Sequence, residues 1–167
     1  MIVAAKTTLL PHQRDAVDKL SPLRVGALFM EMGTGKSRVA MELAGRKASR
    51  LSRVLWFCPV SLKDTIQRQL ETHLCSPRVH AFSDRTRQGR IPDADWYIIG
   101  TESMSASQRV ILAALSLIDE RTMIILDESS YIKTPWAQRT KWLTRLGEKA
   151  GYRYLLTGTP ISQGIQD

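Results

Sequence analysis

Between Met30 and Ser37 the chain reads Met-Glu-Met-Gly-Thr-Gly-Lys-Ser, after a short apolar run and before a helical pattern. Gly33 and Gly35 let the backbone turn tightly, so that successive N–H groups can point at one anion. The N-terminus of the following helix adds partial positive charge at the same place. Lys36 stands where an ammonium neutralises the outer phosphates of a nucleoside triphosphate, with the backbone of Gly33, Thr34 and Gly35 around it. Ser37 stands where a hydroxyl ligates Mg2+. Met30 occupies the position at which the general phosphate-loop pattern has its first glycine. The plain alternative is a glycine-rich turn with a chance Lys-Ser; the strand before it and the helix after it weigh against that.

The second constellation is Asp127-Glu128, at the end of the apolar run Thr122–Leu126. An acidic pair closing a buried strand is costly unless it is used. Beside a phosphate loop it has a use. Asp127 would hold Mg2+, through water, and Glu128 would orient and deprotonate an attacking water. Two idle acids on a strand-to-loop corner are the alternative. Together the two constellations point to hydrolysis of a nucleoside triphosphate, with Mg2+ as cofactor.

The elements that must position these residues can be read from the pattern. Strand-like runs at Val25–Met30, Arg53–Cys58, Arg78–Phe82, Trp96–Gly100, Thr122–Leu126 and Tyr152–Leu156 alternate with helical patterns. The helical patterns cover Lys36–Ala48, Ser61–Leu74, Gln108–Ile118 and Trp136–Glu148. Leu62, Ile66, Leu70 and Leu74 form one stripe, and Ser61 is a candidate N-cap, with Asp64 completing something like a capping box. Apolar strands without clean alternation, separated by helices, predict an α/β fold with a mainly parallel sheet covered on both faces. Ligands in such sheets bind beyond the carboxyl ends of the strands, where every motif here lies.

The 167 residues suit one domain with a proper core. A net charge of +8 and a pI of about 9.9 favour a polyanionic partner without naming one. Cys58 and Cys75 are too few for a disulfide framework, and Cys58 reads as a buried thiol. His12, His73 and His80 lack metal-ligand spacing. Residues 1–10 show no signal-peptide pattern and no apolar run is long enough to span a membrane, so the expectation is an intracellular protein. Trp56, Trp96, Trp136 and Trp142 read as core, and the loop Ser83–Arg90, with Arg85, Arg87 and Arg90, as solvated.

With these residues in place, the chain resembles the first RecA-like lobe of superfamily 2 helicases, in particular Swi/Snf-type duplex-DNA translocases and their phage relatives. The resemblance covers nearly the whole chain, read as one lobe over 1–167. It implies a P-loop RecA-like three-layer fold and an ATPase that couples hydrolysis to movement on duplex DNA. Leu10-Pro11-His12-Gln13 resembles the adenine-reading Q motif, with Gln13 as the reader. Glu31–Ser37 resembles motif I, whose first glycine is often missing in this family. Cys58–Leu62 resembles motif Ia, Gly100–Ser103 motif Ib, Asp127–Ser130 with Ile132-Lys133 motif II, and Thr157–Pro160 motif III.

The resemblance assigns coupling of ATP state to DNA grip to Thr157, Thr159 and Ser130, the last standing where relatives carry histidine or glutamine. It places Ser61, Lys63, Thr101 and Lys133 along nucleic acid, through phosphates that carry no sequence information. Ser61 can equally be a plain cap, and Lys133 a solvated lysine. In such relatives a second RecA-like lobe supplies arginine fingers and half of the DNA track, so this lobe alone is expected to be a weak ATPase. A non-catalytic nucleic-acid-binding module with ATP as a structural ligand is the other reading; Lys36, Asp127 and Glu128 together argue against it.

Overall fold

The computed structural model describes residues 2, 5–128 and 136–158. Six strands form one parallel sheet: β1 (Val25–Phe29), β2 (Arg53–Cys58), β3 (Val79–Ala81), β4 (Trp96–Gly100), β5 (Thr122–Asp127) and β6 (Tyr152–Thr157). Their order is β1-β6-β5-β2-β4-β3. Six helices accompany them: α1 (Pro11–Leu20), α2 (Lys36–Arg46), α3 (Lys63–His73), α4 (Ser103–Ala106), α5 (Gln108–Ser116) and α6 (Gln138–Lys149). Among the described residues no helix is long and apolar enough to cross a membrane.

The sheet is the middle of three layers. Alternate residues of each central strand feed opposite cores, because successive side chains leave a strand on opposite faces. Val54, Trp56 and Cys58 of β2 join Met123 and Ile125 of β5 beneath Val17, Val39, Leu43, Ile66 and Leu70 of α1, α2 and α3. Leu55 and Phe57, with Ile124 and Leu126, pack on the other face against Val110, Ile111, Leu143 and Leu146 of α5 and α6. Burial on both faces is why these strands read as continuous apolar runs. β1 is an edge strand, and its Val25 and Phe29 stay exposed.

Four expectations need correction. The segment expected to read adenine, Leu10–Gln13, opens a full helix, α1, which is not among the helical patterns above. Its signals are Pro11 at the first helical position and Ala16, Val17 and Leu20 on one stripe. Ser61 is not a helix cap: Val60–Leu62 is a 3-10 turn and α3 begins at Lys63, with Asp64 in its first turn. Leu62 therefore leaves the buried stripe, whereas Ile66, Leu70 and Leu74 keep it. Trp136 is 82% exposed, unlike the fully buried Trp56 and Trp96. The short helix α4 was also unforeseen; it ends at Ser107, whose hydroxyl caps α5 by accepting from the Val110 amide.

Cys58 is buried at the end of β2, and burial, helped by the charge of Asp127, pushes its thiol up to about 12. Cys75 is exposed. Since the thiolate is the reactive form, iodoacetamide at neutral pH is expected to label Cys75 in the native protein and to reach Cys58 only after denaturation. Peptide mass mapping reads this directly. Equal labelling of both native cysteines would mean that β2 does not pack as described.

Candidate nucleotide and nucleic-acid site

The candidate phosphate loop joins β1 to α2. Gly33 and Gly35 have φ of +81° and +86°, the left-handed region that glycine enters without a side-chain clash. Gly35 is the N-cap of α2, an 11-residue helix whose first residues are Lys36 and Ser37. The Lys36 Nζ lies in the mouth of the loop, donating to the carbonyls of Met30 (3.0 Å) and Glu31 (3.1 Å). Thr34 braces the loop from within, its hydroxyl donating to the Glu31 carbonyl at 2.7 Å. Gln13, buried in α1, donates through Nε2 to the Thr34 carbonyl and accepts at Oε1 from the Leu10 amide, each at 3.0 Å. The latter bond is the reach-back of a third-position side chain to its own helix start.

Strand order brings the other motifs to this loop. β6 lies between β1 and β5, with Phe29 opposite Thr157 and Asp127 opposite Leu156. The Met30 amide donates to the Thr157 carbonyl at 3.3 Å. A Cβ on Gly158 would lie 3.5 Å from Lys36 Nζ and 3.2 Å from Met32 Cγ, so the end of β6 rests directly on the phosphate loop. The acidic pair closes β5. Asp127 is 8% exposed, and its carboxylate accepts from the Glu128 amide at 3.0 Å and, at a long 3.4 Å, from the Trp56 indole. Burial pushes the Asp127 carboxyl above its ordinary range; these two donors and the Lys36 charge oppose that, and the Glu128 charge adds to it.

Glu128 has φ of +55°, a strained backbone for a residue with a side chain. Residues so held cluster at functional corners. An ammonium and a glycine loop at a helix start, and a serine hydroxyl, are groups that could hold an anion, and the acidic pair is one whose desolvation cost a cation would offset. Among the described residues no group of three His, Cys, Asp or Glu forms a metal cluster of its own.

The motifs expected on nucleic acid gather at the neighbouring strand ends, where Cys58 of β2 pairs with Gly100 of β4. Ser61 is exposed. Lys63 is partly buried and donates to the Phe82 carbonyl. Thr101 is fully buried, and its hydroxyl donates to the Glu102 carboxylate at 3.2 Å rather than facing solvent. The same carboxylate accepts from the Val60 amide at 3.0 Å, so Glu102, which the sequence reading did not single out, straps the two motifs together. Arg85, Arg87 and Arg90 are exposed, as a solvated loop requires. Ser130, Lys133 and Thr159 lie outside the described residues. Thr157 is the buried last residue of β6.

No protein-family model matches the chain. Individual proteins do. It is 32% identical over 161 residues to the Mus musculus "DNA annealing helicase and endonuclease ZRANB3", covering 93% of this chain and 15% of that protein. It is 32% identical over 156 residues to a Caenorhabditis elegans "SWI/SNF-related matrix-associated actin-dependent regulator of chromatin subfamily A-like protein 1 homolog", covering 91% of this chain and 22% of the relative. Its fold matches the Sulfolobus solfataricus SWI2/SNF2 ATPase core in complex with dsDNA, with TM-score 0.81 at 21% identity over 99% of this chain and 35% of that one. The chain thus spans a minor part of each of these proteins. In sequence it is a relative of the Swi/Snf-type superfamily 2 helicases, and its three-layer α/β fold is that of their first RecA-like lobe.

Proposed function

We propose that the chain is the ATP-binding lobe of a nucleic-acid-dependent ATPase that works on duplex DNA inside the cell. The observation that carries this reading is the convergence of three strand ends: the loop after β1, Thr157-Gly158 at the end of β6, and Asp127-Glu128 at the end of β5. Gly33, Thr34, Gly35 and Lys36 hold the phosphates of ATP, and Gln13 reads the adenine. Ser37 and Asp127 hold Mg2+, which when bound supplies positive charge to the phosphate oxygens. Glu128 orients and accepts the proton of the attacking water.

Thr157, together with Ser130 and Thr159, couples this centre to nucleic acid. Ser61, Lys63 and Lys133 contact nucleic-acid phosphate, and the buried Thr101 hydroxyl holds the Glu102 carboxylate that straps the two motifs together. The DNA complex of the Sulfolobus solfataricus neighbour supports duplex DNA as the partner. A second RecA-like lobe, in the same or another chain, completes the ATPase by supplying an arginine to the transferred phosphoryl group. Such an arginine contributes about 10³–10⁵ in rate, so this lobe by itself turns over slowly.

The test is ATP hydrolysis at fixed low salt, with and without duplex DNA, beside Lys36→Ala and Glu128→Gln. DNA-stimulated turnover that both substitutions remove supports the proposal. Mg-ATP binding without turnover supports the lobe assignment and its need for a second lobe. Duplex binding indifferent to nucleotide, with neither substitution altering anything, would instead mark a non-catalytic binding module.

The loop geometry adds a graded prediction. At Gly33 a Cβ meets nothing within 4 Å, while at Gly35 it would sit 2.2 Å from Gln13 Nε2. Both positions carry the left-handed penalty of about 1–2 kcal/mol, but only Gly35→Ala also drives Gln13 out. Gly35→Ala is therefore expected to weaken Mg-ATP binding by more than about 10-fold, and Gly33→Ala by less. Titration calorimetry separates them; equal losses would show that Gln13 does not bear on the loop.

A further inference from the structure

The Thr34 carbonyl accepts two hydrogen bonds from α1, one from Gln13 Nε2 and one from His12 Nε2, each at 3.0 Å. A carbonyl only accepts, so His12 Nε2 carries a proton in this contact. The peptide joining Thr34 to Gly35 is planar and trans, which makes its C=O and N–H point in opposite directions. Two donors that draw the carbonyl toward α1 therefore turn the Gly35 N–H away from α1. The bend is completed by Gly35 itself: its φ of +86° needs no side chain, and the space a Cβ would fill is taken by Gln13 Nε2.

Gln13 is in turn fixed by the Leu10 amide at its Oε1. His12 is exposed and belongs to no core cluster, so this contact is not a by-product of packing. The Thr34 hydroxyl bond to Glu31 holds the other side of the same residue. The direction of one loop amide is thus set from outside the loop, by two consecutive residues of α1.

We propose that His12 is a positioning residue for triphosphate binding: with Gln13 it fixes the Thr34 carbonyl and so aims the Gly35 N–H at phosphate, without itself touching nucleotide. This rests on the nucleotide site proposed above. It also gives Gln13 a second task beside the base. A residue that only reads adenine is invisible to a ligand without a base, whereas a residue that aims a loop amide is not.

The experiment titrates Mg-ATP and Mg-tripolyphosphate into the whole chain and into His12→Ala, His12→Gln, Gln13→Ala and Lys36→Ala, with a thermal melt of each. His12→Ala is expected to weaken both ligands by a similar factor, about 2–10-fold, the worth of one hydrogen bond. His12→Gln, which keeps a donor, restores most of it, and the melting temperature of His12→Ala stays near that of the parent. Gln13→Ala weakens tripolyphosphate as well as ATP.

The proposal is overturned if His12→Ala binds both ligands like the parent, or loses ATP alone. It is overturned equally if the loss tracks a lowered melting temperature that His12→Gln shares. A parent chain that binds ATP but not tripolyphosphate would also sink it, because the loop would then not grip phosphate by itself. If the parent binds neither ligand and Lys36→Ala changes nothing, the nucleotide site itself is wrong and the inference falls with it.

Discussion

Glu128→Gln is expected to bind Mg-ATP as the parent does and to cleave it about 10²–10⁴-fold more slowly, the usual contribution of a positioned base. Glutamine has the shape of glutamate and no proton-accepting carboxylate. It adopts the left-handed φ of +55° at no greater cost, so the corner after β5 keeps its form. Lys36 and Asp127, to which the proposal gives substrate and cation, are unchanged. Removing the Glu128 charge also removes a repulsion that pushes the Asp127 carboxyl up, so Asp127 ionises more readily. Single-turnover cleavage with duplex DNA present, measured beside equilibrium nucleotide binding, separates the two effects. Unchanged cleavage would relieve Glu128 of its role. A parallel loss of binding would assign it to the ground state instead.

The largest stability effect is expected at a residue remote from the chemistry. A Cβ built on Gly151 would lie 1.8 Å from the Glu120 carbonyl oxygen and 2.8 Å from its carbon. Both are backbone atoms, so no side-chain rotation relieves the clash. Gly151 immediately precedes β6 and Glu120 leads into β5, strands that pair from Met123 and Tyr152 onward. Gly151→Ala must therefore spread the starting ends of two central strands. A cost of about 3 kcal/mol, at the upper end for overpacking, lowers the melting temperature by about 6–12 °C in a chain of this size.

Gly45→Ala supplies the contrast. Gly45 lies inside α2, where a Cβ meets nothing within 4 Å. That substitution is expected to stabilise by about 0.5–1 kcal/mol, the helix preference for alanine. A Gly151→Ala protein that melts with the parent would show that the turn before β5 can shift freely.

Much of this molecule was written locally. The alternation of apolar runs with helical stripes was legible because each element buries a face whose period is its own. The parallel sheet followed from runs buried on both sides. The phosphate loop was legible because its glycines, Lys36 and Ser37 are contiguous, and a contiguous motif needs no partner to be seen. Asp127 and Glu128 were legible for a similar reason: two acids at the end of a buried strand are anomalous wherever they occur.

The rest was decided by the tertiary structure. Which strands are neighbours depends on crossovers and layer packing, which no window of sequence contains. β6, the last of the described strands in sequence, enters between β1 and β5, and only that insertion sets Gly158 against Lys36. The fates of Ser61, Thr101 and Trp136 turned on contacts in space. A 3-10 turn displaced the start of α3, and the Glu102 carboxylate drew the Thr101 hydroxyl inward. Trp136 stayed outside a core that α6 fills with Leu143 and Leu146. His12 was invisible for the same reason. Its bond reaches 22 residues along the chain to a carbonyl, and a carbonyl is common to every residue and leaves no trace in the sequence.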